Sequence, residues 1–149
     1  MRVVEAKMVP QTYVTGFHLA AIKSGEQEPI GQRIIEVPND LEQFVSRDTR
    51  ASFTAYVPEG SIRKGQALAA DGGGGKTVQC GICHGPDLKG VGPIPGIAGR
   101  SPSYTFRQLY DFKHGTRAGT GAALMKPMVE KLTVEDMLNL AGYAASLAP

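Results

Sequence analysis

The sequence predicts a mainly α-helical domain over residues 61–149, preceded by an extension of short β-strands and loops over residues 1–60. Two observations support this prediction. Apolar residues recur at three- and four-residue spacings in the second region, whereas the first holds short β-branched and aromatic runs between Gly, Pro and Asn/Asp clusters. A third observation, the motif Cys-x-x-Cys-His at residues 80–84, indicates a large covalent cofactor within the helical region.

Residues 1–60 contain three candidate strands, separated by turn-forming residues. The strands are predicted at residues 12–17, 32–37 and 52–57, where β-branched and aromatic residues concentrate. Three short strands bury little apolar surface by themselves, so we expect this extension to pack on the helical domain or on a neighbouring protein. It holds no group of residues typical of a catalytic site. Its single histidine, His18, is as well explained by a surface position as by a functional role.

The helical region is predicted to contain three helices. The first has Ser61 as its N-cap and ends before Asp71 and the four glycines that follow. The last begins at Thr133, because Asp136 lies three residues on and completes a capping box. A further helix is predicted over residues 103–113, and the other segments are predicted to be loops or irregular structure: residues 90–102, 115–121 and 122–128.

The motif at residues 80–84 is the attachment signature of c-type haem. The thiols of Cys80 and Cys83 would add across the two vinyl groups of one haem, and the two-residue spacer lets one turn of backbone present both. The imidazole of His84 then lies under the iron as its proximal axial ligand. Because these are the only two cysteines of the chain, no other cysteine competes for them. The sequence therefore predicts one covalently bound haem c with its iron.

Two other kinds of site use a Cys-x-x-Cys pair. A thioredoxin-like redox pair needs a preceding strand in a βαβ unit, but residues 72–76 are four glycines and a lysine, which make a poor strand. A zinc site needs two more ligands at finger-like spacing, and the remaining histidines, His18 and His114, do not supply it. Haem attachment is the better interpretation.

Charge is divided unevenly between the two regions. Residues 1–60 hold 6 Lys/Arg and 8 Asp/Glu, a net charge of −2, while residues 61–149 hold 10 and 6, a net charge of +4. A basic surface around a haem edge would steer association with a redox donor or acceptor that presents an acidic docking surface. The basic residues are dispersed and no nucleic-acid-binding motif accompanies them, so we expect no nucleic-acid partner.

The chain contains no run near the roughly 18 consecutive apolar residues that a membrane span requires. No apolar segment follows Arg2, so the start does not resemble a signal peptide. Haem c is attached outside the cytoplasm. We therefore expect a periplasmic protein whose export signal is not present in this sequence.

Three downstream methionines are candidates for the sixth iron ligand, and His/Met ligation suits electron transfer. Met137 lies on the apolar stripe of the last helix, which favours a core position. Met125 and Met128 lie in the irregular segment that Pro127 interrupts, and their spacing alone does not separate them. A buried methionine often fills a gap, so one of this pair is expected to do only that.

Residues 65–147 resemble a bacterial class I c-type cytochrome and are similar to a single domain of the small diheme cytochrome c carriers. The matching positions are residues 80–85, 95–100, Tyr104, 108–109, Phe112, Met125 and 132–137. Two features depart from the family pattern. The stretch between Gly65 and Cys80 is longer than usual, and residues 1–60 have no counterpart, which suggests that they connect this domain to a second one in a larger protein.

The resemblance implies a role for individual residues. Met125 would bind the iron opposite His84, and Met128 would pack near the haem. The carbonyl oxygen of Pro95 would accept the proton of His84 Nδ1, with Pro93 as the competing acceptor. Tyr104 would be a further haem contact.

The implied function is single-electron transfer in the periplasm, without enzymatic activity. One alternative is a haem-binding sensor or peroxidase-like domain, which needs an open or labile sixth site. Another is a haem subunit docked to a dehydrogenase or reductase, with residues 1–60 as the docking element. The chain is thus predicted to have a redox protein as partner, as a separate protein, a second cytochrome domain or an oxidoreductase subunit.

Overall fold

The computed structural model describes all of residues 1–149, which divide into two compact units, Met1–Glu59 and Gly60–Pro149. We call them the N-terminal unit and the helical unit. The N-terminal unit contains seven strands and one short helix: β1 (Arg2–Glu5), β2 (Met8–Pro10), β3 (Thr12–Thr15), β4 (His18–Ala21), β5 (Gln27–Pro29), β6 (Ile35–Pro38), α1 (Leu41–Val45) and β7 (Phe53–Val57).

The strands of the N-terminal unit form three small sheets. In the largest, β7 pairs in parallel with β1 and antiparallel with β6; β2 pairs antiparallel with β5, and β3 with β4. The main buried cluster of this unit is formed by four aliphatic residues, Val9, Ile30, Ile35 and Val37. The predicted strands correspond to β3, β6 and β7. The other four were missed because each holds at most two β-branched or aromatic residues, too few to mark a strand.

His18 is packed in this unit and is not an exposed residue. Its ring centroid lies 4.2 Å from that of Phe44 in an edge-to-face arrangement, and Phe44 packs in the same way on Phe53. Both ring nitrogens of His18 are buried without a hydrogen-bond partner. The imidazole therefore acts as an aromatic packing residue there.

The helical unit contains five helices and one two-residue-per-strand hairpin: α2 (Ser61–Asp71), α3 (Gly81–His84), β8 (Gly90–Val91), β9 (Ile94–Pro95), α4 (Pro102–His114), α5 (Ala122–Val129) and α6 (Val134–Ser146). The description "mainly α" therefore holds for this unit only, because most strands lie in residues 1–59. None of the helices is both long enough and apolar enough to cross a membrane.

Several sequence predictions are corrected here. The N-cap of α2 is Gly60, and Ser61 is its first residue, buried at 2% exposure. The segment predicted as loop over residues 90–102 holds the β8–β9 hairpin. Residues 122–129 form α5 although Pro127 lies inside it, because a proline removes one helical hydrogen bond and the other residues of this segment favour a helix. The capping box of Thr133 and Asp136 is confirmed.

The helices enclose one apolar cluster, which we call the helical core. Its central residues, Val129, Leu132 and Met137, are almost completely buried. Its other buried members are Leu68, Ala69, Phe112, Ala122 and Leu140, and the half-buried residues packed against it are Cys80, Phe106, Leu109, Met125 and Tyr143. The first haem-attachment cysteine and the candidate iron-ligand methionine thus border the same core.

Helices α2 and α6 cross at Gly65, where their backbones touch. A Cβ atom added at Gly65 would lie 2.0 Å from the carbonyl oxygen of Asn139 and 2.8 Å from Cβ of Tyr143. A backbone oxygen and a Cβ atom cannot shift unless the backbone of α6 itself moves. The crossing therefore requires a residue without a side chain at position 65.

Gly65→Ala is expected to destabilise the protein. In an open helix the change stabilises by about 1 kcal/mol, but overpacking here reverses the sign and costs about 2 kcal/mol or more. Chemical denaturation followed by far-UV circular dichroism measures the difference. Gln66→Ala, at the neighbouring exposed position of α2, is the control and should change stability little. A neutral or stabilising Gly65→Ala would contradict the close crossing.

Asp136 caps α6 and also pairs with Lys76, which follows the glycine run. Its carboxylate accepts hydrogen bonds from the Thr133 amide at 2.9 Å and from the Lys76 ammonium at 3.0 Å. Partial burial acts to raise the pKa of Asp136, but the bonds from Thr133 and Lys76 outweigh it and hold that pKa below its ordinary value.

This lowered pKa predicts a dependence of stability on pH. Because the pKa of Asp136 is lower in the folded chain than in the unfolded one, its contribution is complete above the ordinary value of about 4. That contribution is lost as the pH falls from there through the lowered pKa. Asp136→Asn should therefore flatten the fall in unfolding free energy between about pH 5 and pH 2, measured by urea denaturation at each pH.

A matched control is Glu130→Gln, which removes an exposed carboxylate that forms no ion pair. It should keep the pH profile of the unmodified protein. If the profile of Asp136→Asn is as steep as that of Glu130→Gln, the contacts of Asp136 do not stabilise the fold.

Candidate functional site

The motif Cys80–His84 forms a single helical turn anchored on α2. Helix α3 spans Gly81–His84 with Cys80 as its N-cap. The Cys80 amide donates to the carbonyl oxygen of Ala69 at 3.0 Å, and the His84 amide donates to that of Cys80 at 2.9 Å. Cys80 is half-buried, Cys83 is exposed, and both thiols are free. One turn of backbone therefore presents two thiols and an imidazole together.

His84 is buried, with 9% of its surface exposed. Its Nδ1 lies 2.8 Å from the carbonyl oxygen of Pro95. Because a carbonyl oxygen only accepts, Nδ1 must carry the ring proton, and Nε2 keeps its lone pair for a metal. Pro93, the competing acceptor from the sequence, lies in the turn between β8 and β9.

The segment that supplies the Pro95 carbonyl is held by backbone contacts, and we call residues 88–98 the proximal loop. The amides of Ile97 and Ala98 both donate to the carbonyl oxygen of Leu88, at 2.8 and 3.1 Å. Leu88 is buried and has a φ of 59°, a left-handed conformation that non-glycine residues rarely adopt. The loop thus closes on itself around the β8–β9 hairpin.

The candidate distal residues lie on α5. Met125 and Met128 are both half-buried and three residues apart, so they share one face of this helix. Met125 packs against the helical core, which Cys80 also borders. Met137 is buried in that core at 1% exposure, as its place on the apolar stripe predicted. Tyr104 lies on α4 with 49% of its surface exposed.

The structure weighs against the two alternative uses of the cysteines. No three His, Cys, Asp or Glu side chains come together as a group that would hold a metal ion, so the pair is not half of a zinc site. Burial is the main cause that raises the pKa of the Cys80 thiol. A redox-active pair needs a thiol with a lowered pKa, because the thiolate is the nucleophile.

The residues of the site fit a haem. Cys80 and Cys83 supply two thiols on one turn, and His84 supplies a nitrogen whose partner nitrogen is already bonded to a backbone carbonyl. This second contact is the one that orients metal-binding histidines. Two thiols and one imidazole on a single turn match the attachment of a haem, and they do not make up the four ligands of a structural zinc site.

Two contacts of the site were not predicted from the sequence. Leu88 accepts the two amides that close the proximal loop, and the side chain of Arg100 donates to the carbonyl oxygen of Gly96. Nothing in the type or spacing of Leu88 signals its left-handed backbone. For the Arg100 contact, the one hint in the sequence is the four-residue spacing from Gly96, which suits a local contact between side chain and backbone.

The cytochrome c family model matches residues 62–148. Among curated proteins, cytochrome c-554(548) of Halomonas halodenitrificans is 38% identical over 52% of this chain and 94% of its own length. Cytochrome c-552 of Acidithiobacillus ferridurans is 34% identical over 87% of this chain and 57% of its own length. The chain thus spans little more than half the length of this second relative.

Solved structures agree in fold. Cytochrome c4 of Acidithiobacillus ferrooxidans superposes with a TM-score of 0.55 and 34% identity over 59% of this chain and 50% of its own. Thiosulfate dehydrogenase (TsdBA) of Marichromatium purpuratum does so with a TM-score of 0.53 and 31% identity, over 59% of this chain and 19% of its own. These matches confirm the resemblance to one domain of the diheme class I cytochromes. The chain belongs to the cytochrome c family, and its cofactor is a haem c attached through Cys80 and Cys83.

Proposed function

We propose that this chain is a one-electron carrier whose haem iron is bound by His84 and Met125. The observation that supports it most is the bond between His84 Nδ1 and Pro95, which leaves Nε2 as the free nitrogen of a buried, oriented ring. The position of Met125 supports its role as the second ligand, because its side chain packs against the same helical core as Cys80. Pro95 and Tyr104 are proposed as further residues of the haem pocket.

The bound haem would supply the exchange of one electron, and His/Met ligation sets a higher potential than two nitrogen ligands do. The chain's own residues provide the conditions for it. Burial of His84 limits the access of water to the proximal side, and the Pro95 carbonyl selects the tautomer with the proton on Nδ1 and orients the ring.

The partner is proposed to be another redox protein that presents an acidic surface to the basic helical unit. The likeness to thiosulfate dehydrogenase (TsdBA) favours a second candidate role, a haem subunit associated with an oxidoreductase. In either case residues 1–60 are proposed as the connector or docking element. In support, the N-terminal unit has a core of its own, and Phe17 and Val14 of its β3–β4 region are 93% and 71% exposed.

We further propose that the protein works in the periplasm. Covalent haem attachment takes place outside the cytoplasm, so a folded chain with both thioether bonds must have been exported.

The oxidised absorption spectrum tests the proposed ligation. A weak charge-transfer band in the far red that disappears when cyanide binds is expected from iron bound to a methionine sulfur. Met125→Ala should remove this band and lower the reduction potential, because the thioether stabilises the reduced iron. Met128→Ala, three residues away on the same helix, is the matched control and should keep the band.

Each other outcome has a definite meaning. Loss of the band in Met128→Ala with its retention in Met125→Ala would transfer the iron-ligand role to Met128. A high-spin spectrum of the unmodified oxidised protein would refute the carrier and favour a sensor or a peroxidase-like site with an open sixth position.

A further inference from the structure

We infer that Arg100 is a positioning residue that holds the Pro95 carbonyl in place and, through it, the ring of His84. The inference rests on the proposed function, in which His84 binds the iron. Arg100 Nε donates to the carbonyl oxygen of Gly96 at 2.5 Å. The carbonyl of the preceding residue, Pro95, accepts from His84 Nδ1 at 2.8 Å. Arg100 and His84 therefore hold consecutive peptide groups of the same loop.

The need for a clamp follows from the glycine at position 96. A Cβ atom there would lie 2.5 Å from the carbonyl oxygen of Lys89, so the close approach of the two strands of the hairpin requires glycine. Glycine also has the least restricted backbone of all residues. Gly96 thus makes the tight loop possible, but its flexible backbone also lets the neighbouring Pro95 carbonyl rotate most easily. A side chain that holds the Gly96 carbonyl restricts this rotation, because it anchors the peptide group next to that of the Pro95 carbonyl.

The other side of the loop is already fixed. The amides of Ile97 and Ala98 are bonded to Leu88, and Gly90 pairs with Pro95 in the hairpin ladder. The Gly96 carbonyl and the Ile97 amide belong to one planar peptide group. The Leu88 carbonyl therefore holds this group at its amide, and the exposed Arg100 side chain holds it at its carbonyl oxygen. A charged donor makes this bond stronger than a neutral one.

Arginine suits this position better than lysine. The donor is Nε, which lies within the rigid guanidinium plane at the near end of the side chain, and the acceptor is four residues back. The flexible lysine chain presents a single mobile ammonium, so it fixes an acceptor less well. Because Arg100 is exposed, its bond is expected to act on the local geometry of the loop and to change global stability little.

The experiment measures the solvent exchange of the His84 Nδ1 proton by NMR in the ferrous holoprotein. In Arg100→Gln the exchange should become about fivefold faster, the factor that corresponds to one ordinary hydrogen bond. Arg107→Gln is the matched control, because it removes an exposed arginine of α4 that forms no hydrogen bond or ion pair. It should leave the exchange unchanged, and Arg100→Lys should give an intermediate rate.

Three results would overturn the inference. One is an unchanged exchange rate in Arg100→Gln, and another is an equal acceleration in Arg107→Gln, which would indicate a charge effect. The third is an acceleration shared by the backbone amides of α6, which would indicate general loosening of the helical unit. If the unmodified protein lacks the shifted ring-proton signals of an iron-bound His84, the proposed ligation fails instead, independently of Arg100.

Discussion

The close crossing of α2 and α6 determines where the parts of the haem site lie. The haem-attachment turn is bonded to α2, because the Cys80 amide donates to Ala69. The segment that follows the proximal loop is bonded to α6, because the Gly99 amide donates to Ala144 at 2.8 Å. The contact between these two helices therefore helps to set where His84 lies relative to Pro95. A single side chain at Gly65 would separate them, and the site would lose its geometry.

The two sides of the proposed haem site are built in different ways. The proximal side depends on backbone groups: the Pro95 carbonyl orients His84, and the Leu88 carbonyl closes the loop. The distal side depends on one side chain, Met125, on a short helix interrupted by Pro127. Backbone contacts tolerate substitution of most side chains, whereas a side-chain ligand does not. The distal side is therefore where single substitutions alter ligation most.

The parts of the fold that were predictable from sequence have strong local signals. The Cys-x-x-Cys-His turn and the capping box at Thr133 are each specified by residues within five positions. The strands β1, β2 and β5 were not predictable, because their pairing joins short segments far apart in sequence. Strand β4 pairs with the neighbouring β3, but it holds no β-branched residue and no Phe, Tyr or Trp that would mark it as a strand. Pro95 and Met125 came from the family resemblance, since neither spacing nor composition separates them from Pro93 and Met128. The Arg100 contact depends on a turn of backbone that no local pattern indicates.

The interactions that stabilise the crossing of α2 and α6 differ in magnitude. The Lys64–Glu135 pair joins the same two helices at 2.8 Å, but both side chains are about half exposed and water screens them. The capping interactions at Thr133 contribute about 1 kcal/mol, and they stabilise the start of α6 alone. Removal of a buried side chain such as Leu132 or Met137 costs about 2–5 kcal/mol. Apolar packing therefore supplies most of the stability, the backbone contact at Gly65 sets the distance between the helices, and the exposed ion pair adds little.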